Sequence, residues 1–391
     1  MTLNYTKINI GYNYWDKIKF NVETPMFYFN YDYGTDSFIA KAGYGKSSLL
    51  KHIIVHVYYI TDRQIVIFDK DFEWVNSITT SNWESQEPKS IKKYHVIKNF
   101  SIKISDVKPG DWYYLVPGLG VEVANWIARI AFHGKSYHND EPNKFYNMIR
   151  HLPISTAELK DWNMAFGQWL RLDEYVNSVV KVSIVSKIRD LKEKFIGSDT
   201  CNRKKTRYIT NWYEEITQTK CCFIDMDIEG YRPDSFEGYK VGYILEELTY
   251  HNAWALVKMQ PVFVFEEADY FCGNPNIVPT YKSTNMILNY SAKYRKKDVK
   301  MFLVSQSYSQ LHQDLRKCFT AEVFGQLEPS DDRARYEIWQ NLEIGGNLLV
   351  GKRPFAYIDN IQMTFTHPTL FFPLEPCCNI ETQGIIFKEK I

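Results

Sequence analysis

The sequence predicts an α/β fold: a mostly parallel sheet with helices on both faces, interrupted by a helical insertion. Three observations carry this. Short apolar runs that do not alternate with polar residues recur along the chain, and such runs suit strands buried on both faces. Patterns at helical spacing separate several of them. Between about Trp112 and Lys220 the strand-like runs largely disappear and amphipathic helical patterns take over.

The runs, in order, are Met26-Phe27-Tyr28-Phe29, Ser37-Phe38-Ile39, Gln64-Ile65-Val66-Ile67-Phe68, Cys222-Phe223-Ile224, Pro261-Val262-Phe263-Val264-Phe265 and Val299-Lys300-Met301-Phe302-Leu303-Val304. Each reads as a buried parallel strand ending in acidic or polar residues. Ligands of such sheets bind beyond the carboxyl ends of the strands, so those polar ends are where chemistry is expected. The insertion holds helical patterns at Val121 to Phe132, Pro142 to His151, Ser155 to Leu172 and Tyr175 to Phe195. After them Gly197 to Arg207 is polar and basic and reads as an exposed loop. Short β-like runs return between Leu342 and Phe372, at Asn347-Leu348-Leu349-Val350, Phe355-Ala356-Tyr357-Ile358 and Ile361 to Phe365. The expected organisation is a core split into residues 1–111 and 221–391, with 112–220 as the insertion.

Composition agrees with a globular chain. The 391 residues are 45% hydrophobic and 24% charged, enough for one large core or two ordinary ones. A net charge of +1 gives no global argument for a nucleic-acid partner. Local patches such as Arg203-Lys204-Lys205-Thr206-Arg207 or Lys293 to Lys300 would have to supply any contact, and each alone reads as a solvated face. No apolar run reaches the length of a bilayer span, so no membrane segment is expected. Met1-Thr2-Leu3-Asn4-Tyr5 lacks a basic region followed by an apolar stretch, so a cytoplasmic location is expected. Seven cysteines include the vicinal pairs Cys221-Cys222 and Cys377-Cys378, with no zinc-site spacing. Cys221 and Cys222 open an apolar run and are expected in the core.

The most informative run is Ala40-Lys41-Ala42-Gly43-Tyr44-Gly45-Lys46-Ser47-Ser48. Phe38 and Ile39 precede it as a strand end; Leu49, Leu50, Ile53, Ile54 and Val57 follow at helical spacing. That strand–loop–helix context makes it a phosphate-binding loop. Gly43 and Gly45 let backbone N–H groups turn inward around a polyphosphate, and the helix N-terminus adds its positive dipole end. The candidate nucleotide-binding set is Ala42, Gly43, Tyr44, Gly45, Lys46, Ser47 and Ser48. Lys46 would reach the β- and γ-phosphates of ATP, and the Ser47 hydroxyl would sit on Mg²⁺. The pattern normally opens with Gly, where Ala40 stands here; Ala keeps the loop close to the strand.

Val262-Phe263-Val264-Phe265-Glu266-Glu267-Ala268-Asp269 is the matching acidic strand. Four apolar residues deliver two carboxylates at a strand tip. Glu266 would hold the Mg²⁺ shell, and Glu267 would polarise the water that attacks the γ-phosphate. The first acid is commonly Asp, so Glu266 is a departure that leaves the division of roles open. Phe302-Leu303-Val304-Ser305-Gln306-Ser307 is a further buried strand, whose Gln306 could contact the γ-phosphate or the water; a polar helix cap is the alternative. Asp69-Lys70-Asp71-Phe72-Glu73-Trp74 ends another strand, its acids lining the nucleotide pocket or a subunit contact, or the segment forming a plain turn.

In their order these motifs resemble the HerA/FtsK superfamily of ATP-driven DNA translocases, the HerA branch most closely. The resemblance is carried by the loop at Ala40 to Ser48, by Ile65 to Trp74, by Phe223-Ile224-Asp225-Met226, by Glu266-Glu267, and by Tyr294-Arg295-Lys296-Lys297 followed by Val304 to Leu311. Ser330-Asp331-Asp332 and Gly345 to Gly351 also look like family landmarks. It implies a RecA-like P-loop NTPase core, assembly into a homo-oligomeric ring, typically a hexamer, and double-stranded DNA as partner. It also implies an arginine finger, for which Arg295 is the leading candidate and Arg333, Arg335 and Arg353 are rivals. HerA-type members carry an N-terminal β-barrel that the residues ahead of the loop are too few to form. This brings the chain nearer to packaging ATPases of viruses and motors of conjugative plasmids. A secretion or pilus-assembly ATPase and a non-hydrolysing nucleotide-binding scaffold are the competing readings.

Overall fold

The computed structural model describes residues 8–13, 16, 20–23, 25–28, 33–70, 73–79, 90–102, 106–108, 111–115, 207–226, 235–250, 253–277, 279–293, 298–328, 330–332, 337, 354–360 and 369–373. The chain begins with β1 (Ile8–Asn13) and β2 (Pro25–Tyr28). β3 (Gly34–Ile39) leads through the glycine-bearing loop into α1 (Lys46–Ile60). Then come β4 (Ile65–Asp69), α2 (Glu73–Thr79), β5 (Tyr94–Ile97), β6 (Phe100–Ser101) and the single turn α3 (Trp112–Leu115). Beyond residue 206 follow β7 (Arg207–Tyr208), α4 (Trp212–Ile216), β8 (Cys221–Asp225), α5 (Ser235–Tyr250), α6 (Ala253–Met259), β9 (Val262–Phe265) and α7 (Ala268–Phe271). α8 (Lys282–Lys293), β10 (Lys300–Ser305), α9 (Gln313–Arg316), β11 (Phe319–Phe324), β12 (Phe355–Asp359) and β13 (Thr369–Pro373) complete the order.

Among the described residues one eleven-stranded sheet runs β2-β1-β13-β12-β11-β3-β10-β9-β4-β8-β5. From β11 to β5 every neighbouring pair is parallel. From β11 outward to β2 every pair is antiparallel. β10 separates the loop-bearing strand β3 from the acidic strand β9, the arrangement of a RecA-like P-loop core. Because β3, β10, β9 and β4 are parallel, the residues that follow them gather along one edge of the sheet.

Packing explains why these strands do not alternate in sequence. Val262 and Val264 join Ile65, Ile67, Phe302 and Val304 in one core. Phe263 and Phe265 join Val66, Phe68, Met301 and Leu303 in a second. α1 and α2 close the first with Leu50, Ile53, Ile54 and Trp74; α5 and α8 close the second with Tyr239, Ile244, Ile287 and Tyr290. With both faces buried, the positions of β4, β8, β9 and β10 between their ends are apolar. Cys221 and Cys222 are buried and free, in the core as expected.

Polar side chains are also buried in the sheet, among them a charged pair. Asp36 on β3 and Lys300 on β10 are fully buried, with Nζ 2.6 Å from Oδ2. Thr320 Oγ1 donates to Asp36 Oδ1 at 2.6 Å. Burial pushes the Asp36 carboxyl up to about 6, against the pull of Lys300.

Some expectations require correction. Met26 to Phe29 was expected to be a parallel strand, yet β2 lies antiparallel to β1 at the end of the sheet. The connection between them is too short for the crossover that parallel pairing needs. The β-like run Phe355 to Ile358 does form a strand, β12, which is antiparallel to both its neighbours. β1, β5, β11 and β13 carry no run that marked them in advance. Arg207, the last residue of the run read as an exposed basic loop, is exposed but lies on the two-residue strand β7 and donates to Glu215 Oε2 at 2.6 Å. The insertion patterns from Val121 to Phe195, and the runs Asn347 to Val350 and Ile361 to Phe365, lie outside the described residues. Among the described residues no helix is long and apolar enough to cross a membrane.

Candidate functional site

The loop between β3 and α1 has the backbone that its sequence requires. Gly43 has φ 70° and Gly45 φ 101°, left-handed values that favour glycine. A Cβ at either position would meet nothing within 4 Å, so space is open on that side of both glycines. Gly45 caps α1, whose first turn holds Lys46, Ser47 and Ser48 and no acidic residue, so its positive dipole end is uncompensated. The loop is tied down at its base: Ala40 N–H donates to Ser305 O at 3.4 Å and Lys41 N–H to Gln326 O at 3.2 Å.

Tyr44, one of the loop residues expected to bind nucleotide, sinks its ring into the core. Its hydroxyl donates to Pro354 O at 2.7 Å, and its ring stands edge-on to Phe355 with centroids 5.1 Å apart. Its N–H donates to Lys41 O at 3.2 Å, closing a turn within the loop. Tyr44 therefore anchors the loop to the start of β12.

The acidic strand tip meets the loop directly. Ser47 Oγ donates to Glu266 Oε1 at 3.0 Å. Burial raises the Glu266 carboxyl to about 7; Lys51 opposes this, Glu73 and Asp69 add to it, and the Ser47 bond opposes it. Lys46 is 8% exposed, and burial lowers its ammonium below the usual lysine value while Glu266, Glu267, Asp269 and Glu73 pull it back. Lys51, a turn beyond Ser47, is buried and donates to Glu73 Oε1 at 2.9 Å. Asp69 Oδ2 accepts from the N–H groups of Trp74 (3.0 Å) and Val75 (3.4 Å) and so caps α2.

Glu267 occupies the left-handed region at φ 51°, ψ 56°, an uncommon place for a side-chain-bearing residue. Lys70, just past β4, donates to Glu267 Oε2 at 2.7 Å and to the Tyr270 hydroxyl at 3.3 Å. On the other side Gln306 Nε2 reaches Glu267 Oε1 at 3.5 Å. The turn bearing Gln306 is itself held. Ser305 Oγ donates to Asp269 Oδ1 at 2.9 Å, and Asp331 accepts from the N–H groups of Tyr308 and Ser309, both at 2.7 Å, and from Ser307 Oγ.

Of the residues singled out from sequence, the fold brings Lys46, Ser47 and Glu266 to one point and Glu267 and Gln306 to the next. Arg295, with Arg333, Arg335 and Arg353, lies outside the described residues. Lys51, Lys70, Asp269 and Asp331 carry interactions in the site that no motif assigned to them. Position past a parallel strand tip is the signal that would have found Lys70.

No protein-family model matches this sequence, and no curated protein does. Solved structures do. The genome packaging NTPase B204 from Sulfolobus turreted icosahedral virus 2, in complex with ATP-gammaS, is 10% identical, covering 89% of this chain and 99% of that one at a TM-score of 0.38. The bacterial conjugative coupling protein TrwBdeltaN70, in its unbound monoclinic form, is 15% identical over 91% of this chain and 80% of that one, with a TM-score of 0.48. Plasmid coupling protein TrwB in complex with a non-hydrolysable GTP analogue is 14% identical over 82% and 75%, at 0.44. The chemistry of the site stands on its own geometry.

Proposed function

We propose that this chain is an ATPase that assembles into a ring, hexameric by its resemblance to the HerA/FtsK superfamily, and drives double-stranded DNA through it. The observation that carries the nucleotide half is the Ser47–Glu266 hydrogen bond, which sets an acidic strand tip against a glycine-shaped loop on a helix N-terminus. The DNA half rests on the order of motifs along the chain.

In this reading the loop N–H groups and Lys46 cradle the phosphates of ATP. Ser47 and Glu266 would hold a magnesium ion, which would supply positive charge against that of the phosphates. Glu267 accepts a hydrogen bond from the attacking water, and Gln306, which already reaches Glu267, orients the same water. Such placement is most of what phosphoryl transfer asks of a protein. Arg295 of a neighbouring copy supplies the finger. DNA is held through its phosphates, without regard to sequence.

The test is ATP turnover with and without duplex DNA. Lys46→Ala should abolish hydrolysis, and Glu267→Gln should still bind ATP while turning it over slowly. Duplex DNA should stimulate the wild type, less so as salt rises. Wild-type turnover in Lys46→Ala would remove the site assignment; turnover indifferent to duplex DNA would remove the DNA half.

A further inference from the structure

We propose that Lys70 is a positioning residue for the hydrolytic carboxylate: its ammonium pins Oε2 of Glu267 so that Oε1 turns to the Gln306 amide, where the attacking water is to be held. This rests on the ATPase reading above and goes beyond it, because no motif gives Lys70 a part in the reaction.

Glu267 needs such a partner. It stands at the N-cap of α7 but makes no capping hydrogen bond, so the helix start does not fix its side chain. Its left-handed backbone is of the kind that persists only where the surroundings over-determine it. Lys70 supplies the determination from two directions. It donates to Glu267 Oε2 at 2.7 Å, and it is itself held by Tyr270, to whose hydroxyl it donates at 3.3 Å and over whose ring its ammonium lies 4.4 Å from the centroid. Tyr270 N–H in turn donates to Glu267 O at 2.9 Å, so carboxylate, ammonium and ring form one closed group on α7.

The backbone beneath this group is rigid. β4 and β9 are parallel neighbours with Phe68 opposite Phe265, so the residues just past their tips are adjacent by sheet register. Sites built on such elements are held more accurately than sites on free loops. Lys70 is only 12% exposed at its side chain, unlike a solvated surface lysine. Burial works to lower its ammonium, yet the bonds to Glu267 and Tyr270 raise it above the usual value, which keeps the charge in place at neutral pH. With Oε2 taken up, Oε1 meets among the described residues the long 3.5 Å contact from Gln306, a separation that leaves both groups capacity for a shared water.

The test uses the full chain and compares steady-state kcat with equilibrium binding of a fluorescent ATP analogue. Lys70→Met should lower kcat on the order of 10- to 100-fold, the usual scale for a misplaced reacting group, with nucleotide affinity unchanged. Lys70→Arg, whose guanidinium can still donate to Oε2, should recover most of the rate. In a Glu267→Gln background, Lys70→Met should have no further effect on single-turnover hydrolysis. Lys70→Leu, which likewise has no donor, serves the same comparison if Met at this position disturbs folding. Wild-type kcat in Lys70→Met or in its donor-free substitute, an undiminished effect in the Glu267→Gln background, or a matching loss of nucleotide affinity would overturn the proposal; the last would make Lys70 a direct phosphate ligand. Lys46→Ala separates the two levels. If Lys46-dependent hydrolysis is present and Lys70→Met is silent, only the role of Lys70 falls. If the wild type has no Lys46-dependent hydrolysis, the ATPase reading falls and takes this proposal with it.

Discussion

Replacing Gly325 with Ala should disable the phosphate loop from outside it. Gly325 follows β11, and its N–H donates to Ile39 O at 2.9 Å, close to the base of the loop. A Cβ at this position would lie 2.2 Å from Cε1 and 2.3 Å from Cδ1 of Tyr44, and 3.0 Å from Ala40 Cβ. Ordinary contact begins near 3.4 Å, so the ring must retreat by about 1 Å. It cannot do so freely, because its hydroxyl is bonded to Pro354 O and its edge is packed on Phe355. Losing the hydroxyl bond costs about 1 kcal/mol. Losing the ring contact costs about 0.5–1.5 kcal/mol more. Tyr44 stands between the two left-handed glycines, so its retreat reshapes the loop itself. Expressed in nucleotide affinity, about 2 kcal/mol is roughly 30-fold. Titration with a fluorescent ATP analogue reads this directly. On a Tyr44→Ala background, which removes the clash, the Gly325→Ala change should add nothing. Wild-type affinity in Gly325→Ala alone would refute the anchoring role of Tyr44.

Two further outcomes follow from buried charge. Glu266 sits near 7 in the fold against an ordinary 4.5, so the folded chain keeps a proton that the unfolded chain gives up between those values. The stability this provides is present below about 4.5 and lost as pH rises through about 7. Magnesium favours the ionised carboxylate, so Mg²⁺-dependent nucleotide affinity should rise from pH 6 to 8, and Glu266→Gln should flatten that rise in the same titration. For the sheet interior, Lys300→Met leaves Asp36 buried without its cation and should cost about 3–5 kcal/mol in urea unfolding. Adding Asp36→Asn should return much of that loss; a double variant no more stable than the single would show that the pair is not the source.

Much of the site is visible in the sequence because its rules are local. Gly43, Gly45, Lys46 and Ser47 lie within a few residues of one another, and their roles follow from a turn that must reverse into a helix. Glu266 and Glu267 are marked by the four apolar residues before them. β3 was read only from Ser37 to Ile39 because Thr35 and Asp36 look like loop residues. Their burial makes sense only once Lys300 and Thr320 arrive from β10 and β11. The direction of β2 was likewise hidden, since an apolar run carries no sign of which neighbour it will pair with.

The sequence by itself determined that a buried strand delivers a glycine-bearing loop, that a second delivers two carboxylates, and that a parallel sheet joins them. These are statements about periodicity and short spacing. Only the tertiary structure decided that Ser47 touches Glu266, that Lys70 and Gln306 flank Glu267, and that Asp331 holds the turn bearing Gln306. Each of these contacts joins residues from different elements, and the order of strands in the sheet selects the partners. A lysine that follows a strand reads the same in sequence whether it faces water or a carboxylate on the next strand; strand order alone makes the difference.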